Sequence, residues 1–364
     1  MSCAAVIGGG GFVGKYLVRL LMSPSTNAGA FSKVLVLDVR FSDSTLALLS
    51  RLSSDNPNVA LSHRVVDIRS LPSLTVALSG VRTVFLLAAV IDWKLQPSPA
   101  LFAVNVVGTS NVITAARQCG VHLLVHASTM DVVLDGSDIH SCDELRPYPP
   151  EGVFLSEYCR TKTLSEQLVR GANGPELKTV SLRFGHVYGP EDLVYMPKIL
   201  GVLKRGAMPL RLGPSHAKTE MVFSGNAAFS MLCADRFVTK EQEGKTSEDK
   251  IGGKAYFVGE GYAANMLDLA KPYADKLGIS FPRYTLPRFV LSVVIWVLFW
   301  LHKALGLLGI NFDPDLNAFS VWFFLHNMTF SWEKAKREFG YEPLFSKEKA
   351  FEETLEWVKT LNIS

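Results

Sequence analysis

At 364 residues, with 37 basic against 34 acidic side chains and a formal charge of +3, the chain can fill one large domain or two modest ones. It lacks the concentrated positive field that sequence-independent phosphate binding requires, which leaves nucleic acid out as a partner. Five cysteines (Cys3, Cys119, Cys142, Cys159, Cys233) are odd in number and form no CxxC pair, which argues against a disulfide framework and a zinc site and fits a reducing compartment.

Short runs rich in Val, Leu and Ile alternate with longer stretches of helical spacing, the rhythm of βα units around a parallel sheet. In chain order the strands are expected at Ala4–Ile7, Val34–Asp38, Arg64–Val66, Val84–Ala88, Leu123–Ala127, Thr179–Arg183 and Ala255–Val258, and the helices at Lys15–Met22, Val106–Cys119 and Tyr158–Arg170. Near-continuous apolar strands imply a sheet covered on both faces, so the expected class is α/β, a doubly wound parallel sheet of Rossmann type. Residues 1–190 then form a nucleotide-binding domain carrying the catalytic residues. Residues 191–364 form a smaller substrate-binding region that returns one strand near 255–258 to the sheet. The mixed-charge run Lys240–Lys254 (KEQEGKTSEDKIGGK) reads as a solvated insertion. Because AAVIGGGG begins at residue 4, a cleaved leader would take the first strand with it, and the N-terminus is expected to stay on the cytosolic side.

Gly8, Gly11 and Gly14 give GxxGxxG directly after the first strand and directly before FVGKYLVRLL, an amphipathic helix start. A backbone that turns sharply and approaches a pyrophosphate needs glycine, and the phosphate charge then sits at the helix N-terminus. Gly9 to Lys15 also spells GxxxxGK, but Tyr16 stands where a triphosphate loop needs a Ser or Thr hydroxyl for magnesium. Asp38 closes VLVLD 24 residues past Gly14, near the spacing of a carboxylate that accepts the adenosine ribose hydroxyls. A carboxylate there repels a 2′-phosphate and favours NAD over NADP, with Arg40 the one opposing sign. Asp67, in RVVDIR, either marks the adenine edge or caps a strand.

YCRTK places Tyr158 and Lys162 four apart, side by side on one helix face. An adjacent ammonium favours the phenolate, so Tyr158 is expected to have its pKa drawn down toward working pH and to serve as a base. Upstream, in HASTMDVV, the fifth strand runs out at Ala127 and delivers Ser128 or Thr129 to the carboxyl edge of the sheet, where ligands bind. Either hydroxyl could hold a substrate oxygen beside Tyr158.

Together GGGGFVG, LLA with Ala88 and Ala89, NVVGT (Asn105–Thr109), STMDVV, YCRTK and LRFGHVYGP (Leu182–Pro190) resemble the extended short-chain dehydrogenase/reductases in order and spacing over nearly the whole chain. VIDWK (Val90–Lys94), VFSGNAAFSMLCA (Val222–Ala234) and the closing FSWEKAKREFGYEPLFSKEKAFEETLEWVK look like the 3β-hydroxysteroid dehydrogenase branch and its relatives that act on 4α-carboxysterols. The resemblance implies NAD as cofactor, held by Gly8, Gly11, Phe12, Val13, Gly14, Asp38, Asp67, Ile68, Ala88 and Lys162. It implies Tyr158 as general base, Lys162 as the residue that tunes it and bonds the nicotinamide ribose, and Thr129, with Ser128 as the alternative, as the orienting hydroxyl. The implied reaction is oxidation of a steroid or sterol 3β-hydroxyl to the 3-ketone, with Δ5–Δ4 isomerisation or loss of a 4-carboxylate as sequels. Ile7, Leu87 and the Cys159-Arg160 pair depart from the family's usual residues, and Arg160 is expected to bring charge near Tyr158. Nucleotide-sugar epimerases share the generic motifs, and a non-catalytic dinucleotide-binding membrane protein is the reading from another class.

Among the remaining polar residues, His126 and His186 are read as buried, satisfied histidines, Asp92 and Asp131 as candidates to flank the pocket, with strand-end capping preferred for Asp131 and Asp92 left open, and Asn105 as a brace for backbone near the site. From Phe289 to Leu301, 13 residues carry no charge, about 20 Å of helix against roughly 30 Å of hydrocarbon. Full length is reached only by carrying His302 and Lys303 along to Ile310. A buried core helix, an embedded or interfacial hairpin, and a true span are the three readings. The resemblance favours the hairpin, since the branch carries a comparable apolar insertion and attaches to membranes. Membrane lipid is therefore expected as a partner through residues 289–310, at the endoplasmic reticulum with the catalytic domain facing the cytosol or at a mitochondrial membrane. A homodimer is compatible with this reading.

Overall fold

The structure is a computed structural model that describes residues 2–94, 97–242, 251–310, 312 and 317–362. Of the mixed-charge run, 243–250 lie outside the described residues. The chain lays down β1 (Cys3–Ile7), β2 (Lys33–Asp38), β3 (Ala60–Val65), β4 (Thr83–Leu86), β5 (Leu123–Thr129), β6 (Ile139–Cys142), β7 (Lys178–Phe184), β8 (His186–Tyr188), β9 (Thr219–Phe223), β10 (Ala255–Val258), β11 (Tyr262–Ala264) and β12 (Met328–Phe330). Seven of these form one parallel sheet in the order β10-β7-β5-β4-β1-β2-β3. The order reverses between β1 and β4, and at such a switch point the carboxyl ends of the strands open a crevice for ligands.

Period-two alternation builds the two faces of this sheet. Ala4 and Val6 of β1, with Val34 and Val36 of β2, join the cluster that holds Leu17 and Leu21 of α1 (Phe12–Met22). Cys3, Ala5 and Ile7, with Leu35 and Leu37, join the cluster that holds Leu74, Val112 and Val169. Because β1, β2 and β4 meet apolar neighbours on both faces, they read as nearly unbroken hydrophobic runs, whereas the edge strand β3 does not. A second, mixed sheet follows the order β11-β9-β12-β6, with β8 beside β9, so it joins segments far apart in sequence.

Several boundaries differ from the sequence reading. The third strand starts four residues earlier than expected, at Ala60, because its register with β2 pairs Lys33 with Ala60, although ALSHRV carries no apolar run. The fourth ends at Leu86 rather than Ala88, since Leu87 and Ala88 both turn their N–H groups to the carbonyl of Ile7. The helix expected from Val106 is a π-turn over Ala103–Gly108 followed by α2 (Thr109–Gln118). The helix that carries Tyr158 and Lys162, α3, spans Glu157–Gly171, started by Ser156, whose hydroxyl accepts from the Cys159 N–H.

The apolar stretch forms α4 (Arg288–Leu307), 20 residues that continue through His302 and Lys303. Of its side chains only Leu291 and His302 are buried. The core-helix reading is thereby corrected: Phe289 is 72% exposed, Trp296 63% and Leu307 90%, because no other described element packs over them. At 1.5 Å per residue the helix is about 30 Å long, the thickness of a hydrocarbon layer. By length and composition it is the one helix among the described residues able to cross a bilayer. α5 (Ala318–Leu325) follows it and packs back onto the body, capped reciprocally by Asn317 and Ser320.

Candidate active site

Gly8 adopts φ +87°, and its N–H donates to the carbonyl of Leu37 at 2.7 Å. A Cβ on Gly8 would lie 2.6 Å from the backbone nitrogen of Ala88, and one on Gly14 would collide with the Gly8 carbonyl. The turn is thus a cradle only glycine can line, pressed between β4 and the start of α1. Gly11 is the N-cap of α1 without a side chain to cap it, so the first-turn N–H groups at Phe12 and Val13 have no intrahelical acceptor and suit an anion. Asp38 sits directly beneath: Oδ2 accepts from the Gly10 N–H at 3.0 Å and Oδ1 from the Val39 N–H at 2.7 Å. These features fit a dinucleotide with its pyrophosphate at the helix start and a ribose at the second strand. Lys15, the lysine of the rival GxxxxGK pattern, is buried and ion-paired with Glu191 instead.

Asp67 follows β3 and forks onto Arg69, whose guanidinium holds the carboxyl below its usual range. Ile68 is buried against Gly108, where a Cβ would come within 2.5 Å of its Cδ1. Asn105, inside the π-turn, accepts from the Val90 N–H at 2.8 Å and donates to the Val90 carbonyl at 3.0 Å, bracing the segment after β4 as expected. Asp92 is a loop residue that accepts from the N–H groups of Lys94 and Ser98.

Tyr158 and Lys162 lie side by side on α3, 6% and 4% exposed. Lys162 Nζ donates to the Ala127 carbonyl at 2.8 Å, which fixes the ammonium at the carboxyl end of β5. Burial lowers its pKa from 10.5 to about 8, opposed by Glu166 and Asp131. The expected depression of the Tyr158 pKa is not found: burial first, then the Asp131 and Cys159 charges, raise it well above the ordinary value. The sequence shows an ammonium four residues away, but not the burial that sets the direction of the shift. Arg160 is forked onto Glu157 at 2.6 and 2.8 Å.

Successive residues of β5 face opposite ways. Ser128 donates to Glu166 at 2.5 Å, and Glu166 also receives Tyr148 and the fully buried Arg183, whose ion pair anchors α3 to β7. Thr129 takes the other direction and accepts from the Asp131 N–H at 3.2 Å, capping the short turn Met130–Val133. Asp131 was expected as the cap; Thr129 performs that role, and Asp131 is instead buried with Oδ1 lacking any hydrogen-bond partner. Burial pushes its carboxyl from 3.8 up to about 6. His126 is buried between Ser165 and Ser181 and held neutral by burial, as expected. His186 is likewise shifted down by burial, but its Nε2 is unpaired, so only half of that expectation holds.

Two residues have a part at the site that the sequence reading did not assign. Asp131 acts electrostatically on both Tyr158 and Lys162, and only its place two residues past Thr129 hinted at it. Trp93, inside the quoted VIDWK, meets the Tyr158 ring edge-on with centroids 6.5 Å apart. A separate hollow of about 350 Å³, lined by Ser141, Glu220, Thr329, Ser331 and Trp332 among others, belongs to the second sheet. Among the described residues no His, Cys, Asp and Glu cluster could hold a metal ion.

Residues 5–288 match the model of the 3-beta hydroxysteroid dehydrogenase/isomerase family. The chain is 30% identical to short-chain dehydrogenase/reductase family 42E member 1 of Danio rerio over 93% of its own length and 84% of that protein. It is 28% identical to a 3-beta-hydroxysteroid dehydrogenase of Mycolicibacterium neoaurum over 98% and 91%. Among solved structures it is similar to DesIV, the dTDP-glucose 4,6-dehydratase of Streptomyces venezuelae determined with NAD bound. The TM-score is 0.73 at 22% identity, over 98% of this chain and 97% of that one. At that identity the likeness speaks for the extended short-chain dehydrogenase/reductase fold alone.

Proposed function

We propose, for a chain that belongs to the 3-beta hydroxysteroid dehydrogenase/isomerase family, that it oxidises the 3β-hydroxyl of a steroid or sterol to the 3-ketone with NAD. The observation that carries this reading is the buried Tyr158–Lys162 pair, tied by Lys162 to the carbonyl of Ala127 where β5 reaches the ligand edge of the sheet. Gly8, Gly11, Phe12, Val13 and Gly14 hold the pyrophosphate, Asp38 the adenosine ribose, Asp67 and Ile68 the adenine side, and Ala88 and Lys162 the nicotinamide half. Bound NAD supplies the acceptor for the hydride. Tyr158 takes the proton from the substrate hydroxyl, Thr129 orients that oxygen, and the charge of Lys162 steadies the phenolate that must form. Ser128 supports from behind through Glu166.

The exposed face of α4 supports attachment to a lipid bilayer. A sterol dissolves in lipid rather than water, so an enzyme docked there receives it without aqueous transfer. Reduction of NAD measured against 3β-hydroxysterols, with and without a 4-carboxylate, tests the reading. Turnover of one or more is expected; inactivity on all, with turnover of a nucleotide sugar, would overturn it. The same panel separates a simple ketone from isomerised and decarboxylated products.

A further inference from the structure

Beside Tyr158 the chain assembles three aromatic rings from two distant segments. Trp93 lies between β4 and the π-turn, and Phe319 and Phe323, one turn apart on α5, pack on its indole at 6.0 and 6.4 Å between centroids. Asn317 Nδ2 donates to the Trp93 carbonyl at 3.0 Å, which pins this loop to the start of α5. Phe319 is buried, while Trp93 and Phe323 each keep part of their surface accessible. All ring atoms of this cluster are carbon save one, the indole Nε1 of Trp93, a buried N–H with no hydrogen-bond partner. A sugar laid here would present several hydroxyls with a single group to answer them. A fused carbocycle would present almost none.

Resting on the steroid or sterol reading above, we propose that Trp93, with Phe319 and Phe323, is the wall on which the substrate's fused rings lie beside Tyr158. We assign to Trp93 Nε1 a hydrogen bond to a second oxygen of the substrate, the one that is not oxidised. Such a donor discriminates sharply, because a buried polar group left unpaired disfavours the analogue that lacks its acceptor. Trp93 is then a specificity determinant, and Tyr158 performs the chemistry unaided by it. The wall is also continuous with the lipid-facing helix: α5 follows α4, and Arg288 at the foot of α4 donates to the carbonyl of Leu325 at the end of α5. A substrate leaving the bilayer along α4 meets these rings next.

The test uses the full chain in phosphatidylcholine vesicles and two readouts. In steady-state kinetics Trp93→Phe, which keeps a ring and removes the N–H, raises KM about tenfold for a 3β-hydroxysterol bearing a 4-carboxylate, leaves KM unchanged for one without it, and spares kcat. Trp93→Ala raises KM for both, by about tenfold or more. Values equal to wild type for both variants overturn the inference while the proposed reaction stands; a silent Trp93→Phe alone removes the donor. In the second readout, a 3β-hydroxysterol carrying a diazirine on ring B is photolysed with the protein. Labelling within 90–94 or 318–325, competed by unmodified sterol, is expected, and labelling confined to 288–308 overturns the wall. Labelling of the wall in a protein that oxidises no hydroxysterol supports the inference and sinks the functional reading instead.

Discussion

The catalytic helix α3 and the apolar helix α4 break the usual partition of polar and apolar side chains in opposite directions. On α3 polar groups are buried and nearly all are answered from within: Glu166 receives Ser128, Tyr148 and Arg183, and Lys162 is taken by the Ala127 carbonyl. On α4 apolar groups are exposed and unanswered, with Phe289, Val293, Trp296 and Trp300 all more than half accessible. A buried polar network is retained where geometry must be fixed, and an exposed apolar face marks a partner outside the chain. On the proposed reading the first region supplies the rigidity that chemistry needs, and the second the surface that a lipid-soluble substrate needs.

If that division is right, damage to α3 will be felt in turnover and stability, and damage to α4 in location only. The largest effect is expected for Tyr158→Phe, which removes the base: kcat falls about 10⁴-fold while NAD affinity, measured by titration, stays near wild type. Turnover near that of wild type would strip Tyr158 of its role. Next comes Glu166→Ala, which leaves Arg183, 2% exposed in its side chain, without its carboxylate. Breaking such a pair costs about 3–5 kcal/mol, read as a large drop in thermal midpoint, with the double change of Glu166→Leu and Arg183→Met recovering much of it. Val297→Lys on α4 should leave the thermal midpoint in detergent unchanged, because that side chain is half exposed. In flotation with vesicles it should weaken binding by about 2.5–3.5 kcal/mol if the site lies at mid-bilayer depth. Unaltered flotation would mean the lipid contact lies elsewhere.

What the sequence made legible follows the same division. The glycine turn, α1 and Asp38 could be read directly, since a strand, a turn and a helix in succession need no distant partner to define them. Tyr158 and Lys162 were legible as neighbours because four residues make one helical turn. The raised phenol was not legible, since it depends on what covers α3 and on the Asp131 charge that the fold brings near it. Asp131 escaped for the same reason: two residues past a strand end it resembles any cap until the helix above buries it. Trp93 stood within a quoted motif, yet its meaning depends on Phe319 and Phe323, more than two hundred residues away. For α4 the composition permitted a core helix as readily as a lipid-facing one, and only exposure separated them.

The smallest expected effect, and the one that sharpens the comparison most, concerns a buried carboxylate oxygen beside α3 that has no hydrogen-bond partner. Asp131 Oδ1 is buried and unpaired, and its charge acts on Tyr158, Cys159 and Lys162. Its carboxyl is raised from 3.8 to about 6 by burial, so the folded state favours the protonated form. The associated stability is fully present below about pH 4 and is lost as pH rises through about 6. Asp131→Asn should therefore raise the thermal midpoint at pH 8 and leave it unchanged near pH 4. Removing the negative charge also makes the Tyr158 phenol easier to ionise and the Lys162 ammonium easier to deprotonate, since Asp131 raises both. Both limbs of the pH profile of kcat/KM for oxidation should then move to lower pH, by about one unit. A merely structural Asp131 would change the midpoint and leave the profile where it was; a profile displaced downward on both sides assigns it an electrostatic hold on the catalytic pair.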